Sequence, residues 1–102
     1  MAMATKTAQE AWLRCEILPG PFTTELVVIV HEVTHGKTLA IIVDRELVQA
    51  DETPRAGHRV SGKVRVLRGE TWEDRSNVLL PRPNEEFGSV IEVASSGLVT
   101  VR

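Results

Sequence analysis

Short runs of alternating apolar and polar residues dominate the chain, and residues typical of turns separate them. The clearest run spans 59–67, where residues 60, 62, 64 and 66 are valine or glycine and the residues between them are polar or basic. Further strands are predicted over 12–18, 26–35, 38–43, 72–80, 89–94 and 98–101. This pattern predicts a mainly β domain with little helix, a small antiparallel barrel or sandwich of about six or seven short strands. Its size is that of SH3-like and OB-like domains.

Glycine, proline and serine indicate where the predicted strands end. Gly36-Lys37 is a Gly-X pair and predicts a two-residue hairpin loop between 26–35 and 38–43. Arg68-Gly69-Glu70 predicts the next turn. Ser95-Ser96-Gly97 predicts a three-residue loop that would pair the strands on either side of it and set Val93 opposite Val99.

Composition fits a single globular domain. The chain has 102 residues, of which 42% are hydrophobic and 25% charged, and its formal net charge is −2. Residues 1–10 lack an apolar run, so we expect a flexible tail rather than a signal peptide, followed by one β domain over 11–102. No segment is long and apolar enough for a membrane helix, and Cys15 alone allows no internal disulfide. A cytoplasmic location is expected.

One motif points to metal chemistry. His31-Glu32-Val33-Thr34-His35 has the HExxH pattern, and the segment 26–35 resembles the metal-binding helix of zincin-type metallopeptidases. That resemblance implies a zinc ion bound by His31 and His35, with Glu32 activating water. The chemistry requires a helix, because residues four apart then lie on one face about 6 Å apart along the axis. The third histidine of the metzincin continuation is absent, and no second motif supplies another ligand.

The same residues fit a strand better. Most of the segment 27–34 is β-branched, and a second apolar run follows Gly36-Lys37 directly. On a strand, His31 and His35 would be about 13 Å apart and Glu32 would point to the opposite face. We therefore expect a hairpin without a metal or cofactor, in which His31 is half-buried and His35 is exposed. Zinc remains the alternative cofactor.

The basic residues of the segment 55–69 form the one local charge bias, because no acid interrupts it. Arg59, Lys63 and Arg65 would share one strand face and are candidate partner-binding residues. Alternatively, they form a solvated face balanced by nearby acids. Aromatic residues make up only 4% of the chain and tyrosine is absent, which disfavours nucleic-acid binding. Trp12 and Trp72 are predicted to anchor the core.

Two functions from different classes follow. The first is a non-catalytic β domain that binds a protein partner, or a second copy of itself through an exposed strand edge. The second is a minimal zinc hydrolase that uses His31, Glu32 and His35. The sequence favours the first, since no further catalytic motif accompanies HExxH.

Overall fold

Eight antiparallel strands form one curled, half-barrel sheet in the computed structural model, which describes residues 9–101. The strands are β1 (Gln9–Pro19), β2 (Glu25–His31), β3 (Thr38–Asp44), β4 (Val48–Ala50), β5 (Val60–Trp72), β6 (Arg75–Asn84), β7 (Gly88–Ala94) and β8 (Leu98–Thr100). Single 3₁₀ turns at Arg45–Leu47 and Ser95–Gly97 precede β4 and β8. No α-helix occurs between residues 9 and 101, and the prediction of a small mainly β barrel or sandwich is confirmed.

The long strands β1 and β5 form the centre of the sheet. The sheet order is β3-β2-β1-β5-β6-β7, and β1 and β5 pair without interruption from Gln9 opposite Arg68 to Ile17 opposite Val60. β8 and β2 share the second edge of β1, whereas β4 and β6 share the second edge of β5. Each central strand therefore contacts three others.

Alternate residues of the strands fill a single core on one side of the sheet. Ile17, Val28, Val43 and Val64 are all fully buried. Burying each such side chain contributes on the order of 1.5–3 kcal/mol relative to exposure. We call this side the core face and the opposite side the outer face.

Packing at the core face explains the glycine in the middle of β5. A Cβ at Gly62 would lie 2.2 Å from Ile17 Cδ1 and 2.4 Å from the Gln49 carbonyl oxygen. A side chain therefore does not fit where β4 pairs with β5.

The turn between β5 and β6 lies further along the chain than predicted. β5 continues to Trp72, which pairs directly with Arg75, so Glu73 and Asp74 form the turn. Glu73 has a left-handed φ of 52°. The predicted turn at 68–70 is instead a β-bulge, because the register shifts between Arg68 and Thr71.

The predicted final hairpin is wrong. β7 pairs with β6, and β8 crosses to β1, where Val99 lies opposite Trp12 rather than Val93. The Ser95 backbone N–H donates to the Asp74 carbonyl at 2.8 Å, and its hydroxyl is 2.7 Å from that of Ser76. These bonds fix the 3₁₀ turn against the β5–β6 turn and direct the chain to the open edge of β1.

The β2–β3 hairpin is present, but its loop has six residues rather than two. His31 pairs with Thr38, so residues 32–37 form the loop, and Gly36 takes a left-handed φ of 67°. The sequence pattern therefore predicted both strands, but the predicted end of β2 lies four residues too far along the chain.

The predicted flexible tail, 1–10, falls largely on residues 1–8, which lie outside the described residues; Gln9 and Glu10 belong to β1. Among residues 9–101 no helix has the length and apolar character needed to cross a membrane.

Candidate functional site

The Glu32 carboxylate binds the backbone of the loop between β2 and β3, residues 32–37, which we call the HExxH loop. Its side chain is only 3% exposed, since it continues the core face of β2 one residue beyond the strand. Oε1 accepts hydrogen bonds from the backbone N–H groups of His35 at 2.9 Å and Lys37 at 3.0 Å. Oε2 lies 3.1 Å from the same His35 nitrogen. A buried carboxylate requires such donors, and here the loop backbone supplies them.

These contacts set the protonation of Glu32. Burial raises the pKa of the carboxyl, but the backbone N–H groups of Lys37 and His35, together with the His35 ring, lower the pKa below its ordinary value. The His35 Nδ1 atom is 3.5 Å from Oε2. Glu32 is therefore held as a carboxylate whose oxygens are already committed to the loop.

The two histidines of the motif have separate surroundings. His31 Nδ1 is 3.2 Å from the Thr38 hydroxyl across the β2–β3 pair, and the His31 side chain is exposed rather than half-buried as predicted. His35 is exposed as predicted, and its ring stacks on Phe87 with centroids 4.9 Å apart. Each ring thus contacts a different strand or loop.

The loop is also fastened to β7. The Val33 N–H donates to the Glu92 carbonyl at 2.9 Å, and the Thr34 hydroxyl donates to Glu92 Oε1 at 2.6 Å. Arg75 Nη1 donates to the same oxygen at 3.0 Å. The Thr34 hydrogen bond is the main cause that lowers the pKa of Glu92; burial opposes it and Arg75 reinforces it. The loop therefore covers part of the outward edge of β7.

The zinc alternative depended on a helix, and the segment 25–31 is a strand. His31, Glu32 and His35 do not form the one-sided arrangement in which a glutamate lies beside two ligands. Within residues 9–101, no group of three or more histidine, cysteine or acidic side chains is placed to hold a metal ion.

Two of the three candidate basic residues form ion pairs with acidic side chains of β1. Arg59 Nη1 is 3.1 Å from Glu16 Oε1, and Arg65 pairs with Glu10. The Arg65 guanidinium also lies over the ring of Trp12, 5.3 Å from its centroid. Lys63 differs from both because its direct cross-strand neighbour is another cation, Arg14.

Sequence reasoning missed an exposed apolar patch on the outer face of β5, β6 and β7. It consists of Leu67, Trp72, Leu79 and Val90, and we call it the outer apolar patch. Leu79 lies directly between Leu67 and Val90, and Trp72 lies opposite Arg75 at the start of β6. Four of the six large hydrophobic side chains that are exposed between residues 9 and 101 belong to it. Only the register of β6 could have revealed it.

The prediction that the two tryptophans anchor the core is wrong. Trp72 is 40% exposed. Trp12 lies half-buried on the outer face beneath Arg65. Aliphatic side chains from the strands fill the core instead.

Cys15 is a buried core residue whose thiol favours the protonated form. Burial is the main cause that raises the pKa of its thiol to about 12, and Asp51 and Glu16 add to the effect. The thiolate is therefore a negligible species at neutral pH.

Comparison of the chain with protein-family models, curated proteins and solved structures finds no match.

Proposed function

We propose that this protein is a non-catalytic assembly domain that binds a protein surface through its outer apolar patch, and that a second copy of the chain is the partner. The concentration of exposed apolar side chains on one sheet face is the observation that carries this proposal. Apolar side chains scattered singly over a surface need no explanation, whereas a contiguous group such as Leu67, Leu79 and Val90 is typical of interaction sites.

The shape of the patch favours a protein partner. The groove between Leu67, Leu79 and Val90 encloses only about 120 Å³. Pockets for small organic ligands enclose about 300–1,000 Å³. A shallow apolar groove suits an inserted side chain better than a whole ligand.

The charges beside the patch favour self-association. Arg75 and Glu92 flank it on the outer face with opposite signs and already form an ion pair at 3.0 Å. A two-fold arrangement that sets Arg75 of one copy against Glu92 of the other would be self-complementary, as an isologous interface requires. The patch offers only four large apolar side chains, whereas a standard interface uses about 20–30 residues a side, so the association is weak.

The committed hydrogen bonds of Glu32 support a structural function for the HExxH loop. A general base must reach a water molecule, whereas the Glu32 side chain is only 3% exposed and both of its oxygens face backbone N–H groups. A cytoplasmic location is part of the same proposal, and the free, buried thiol of Cys15 is compatible with it.

Sedimentation velocity over a wide range of protein concentration tests the proposal. We expect reversible dimers with a dissociation constant on the order of 100 μM, and loss of the dimer in Leu79→Asp and in Val90→Lys. Ile42→Asp is the matched control, because Ile42 is 41% exposed on β3, outside the patch. Circular dichroism checks that each variant is folded. A wild-type chain that stays monomeric near millimolar concentration, or dimers that survive both patch substitutions, would refute the proposal.

A further inference from the structure

Arg14 and Lys63 lie directly opposite each other in the β1–β5 pair. Like charges at directly opposed positions destabilise an antiparallel ladder, because their Cβ atoms are only about 4.5–5.5 Å apart. Within residues 9–101 neither side chain forms an ion pair, whereas their neighbours Arg59 and Arg65 both do. The sheet thus holds two adjacent cations that no described acid contacts.

These two cations border a cavity. It encloses about 290 Å³ and is lined by Arg14, Cys15, Asp51, Ser61, Gly62, Lys63 and Val99. This volume is near the lower end of small-ligand pockets, and far exceeds that of the groove in the outer apolar patch. The Ser61 side chain is exposed at the same wall.

The lining specifies the charge pattern of a ligand. Two cations and one carboxylate, that of Asp51, line the cavity, and the Asp51 backbone N–H donates to the Ser61 carbonyl at 2.9 Å. A phosphate group carries nearly two negative charges at neutral pH and several strong acceptor oxygens, which suits Arg14 and Lys63 together. An ammonium group on the same molecule would balance Asp51.

We infer that this cavity is a binding site for a small aminoalkyl phosphate, with Arg14 and Lys63 binding the phosphate and Asp51 binding the ammonium group. The site is independent of the outer apolar patch, because the two share no lining residue. Only Lys63 of the basic residues predicted from the sequence belongs to it, and Arg14 on β1 completes the pair.

NMR titration of the ¹⁵N-labelled chain with phosphoethanolamine, at constant ionic strength, tests the inference. We expect saturable shifts of the Ser61, Gly62 and Lys63 amide signals. Binding should weaken about tenfold or more in Arg14→Gln and in Lys63→Gln, since each removes a charge-assisted contact. Lys37→Gln is the matched control: Lys37 is exposed in the HExxH loop, outside the cavity lining.

Two further probes test the parts of the ligand. Inorganic phosphate should bind the wild type more weakly than phosphoethanolamine does. In Asp51→Asn the two probes should bind equally well, because the partner of the ammonium group is gone. β-Alanine, which replaces the phosphate with a carboxylate, should bind more weakly than phosphoethanolamine.

A stability measurement separates binding from a structural function. Without ligand, Lys63→Gln should unfold at a temperature equal to or above that of the wild type, because it removes a like-charge pair. Shifts that rise linearly without saturation, or that are equal in Lys63→Gln and Lys37→Gln, would overturn the inference.

Discussion

Glu32 and Lys37 exchange two hydrogen bonds across the β2–β3 loop. The Glu32 N–H donates to the Lys37 carbonyl at 2.9 Å, and the Lys37 N–H donates back to the Glu32 carboxylate at 3.0 Å. The pair closes the loop that contains the exposed His35 and that directly follows His31, the last residue of β2. Glu32, the acid of the HExxH motif, therefore caps the turn. Its substitution should lower the stability of the fold, whether or not any reaction depends on it.

Glu32→Gln should lower the thermal midpoint by several degrees. An amide oxygen in place of Oε1 would accept both bonds without the negative charge that strengthens them, and the NH₂ group in place of Oε2 would face the His35 N–H in a buried site. Thermal unfolding followed by circular dichroism measures the change. Glu86→Gln serves as the control, because Glu86 is exposed and its contact with Lys37 is a surface ion pair at 3.7 Å.

The same variant separates the structural function of Glu32 from the catalytic one. A zinc hydrolase would lose its activity in Glu32→Gln and keep its stability. An unchanged thermal midpoint would therefore contradict the cap that we assign to Glu32.

Acid should destabilise the fold through Glu32 and Glu92. The pKa of each lies below the ordinary glutamate value of 4.5 in the folded chain. A lowered folded-state pKa contributes stability that is fully present above pH 4.5 and is lost as the pH falls through the folded value. Urea unfolding at a series of pH values should show this acid decline, and the decline should be shallower in Glu92→Gln. An equally steep decline in that variant would contradict the assignment.

Gly62→Ala should destabilise the fold by about 1–3 kcal/mol or more, because the added methyl would overlap the Gln49 carbonyl and the Ile17 side chain. Gly69→Ala is the matched control, since a Cβ there would meet only Asn77 at 3.6 Å. Chemical denaturation measures both. Equal stabilities of the two variants would contradict the close approach of the Gln49 carbonyl to Gly62.

Cys15 should resist modification in the folded chain. Its buried thiol has a pKa of about 12, so an aromatic disulfide reagent at mildly alkaline pH should react only as the chain unfolds. The reaction followed by absorbance, with and without concentrated guanidinium chloride, measures the protection. Fast reaction of the folded chain would contradict the burial of Cys15.

Alternation along the chain was sufficient to predict most strands and the core. Val60, Val64 and Val66 are buried as their period-two pattern predicts, because one side of a packed sheet must be apolar. The pattern does not encode which strands become neighbours. β7 and β8 both alternate as predicted, yet Val99 lies opposite Trp12. The local sequence does not show that one edge of β1 is free to pair.

The site was harder to predict for two physical reasons. The burial of Glu32 depends on backbone donors that exist only once a six-residue loop has formed, and β-branched residues suggested a longer strand and a tighter turn. The Arg14–Lys63 pair depends on the register of two strands far apart in sequence. The alternation of the strand grouped Lys63 with Arg59 and Arg65 on one face and could not show that acids pair with those two.

The pairing of β8 with β1 has a consequence for how quickly the chain folds. Ala11 meets Thr100, so the N-terminal half of β1 finds its second neighbour only after a loop of about ninety residues has closed. Contacts between such distant residues slow folding, and the vacant strand edge stays open to other chains in the meantime. A circular permutant that joins the segments around Gln9 and Thr100 would make this pairing local, and it should fold faster with the same final sheet.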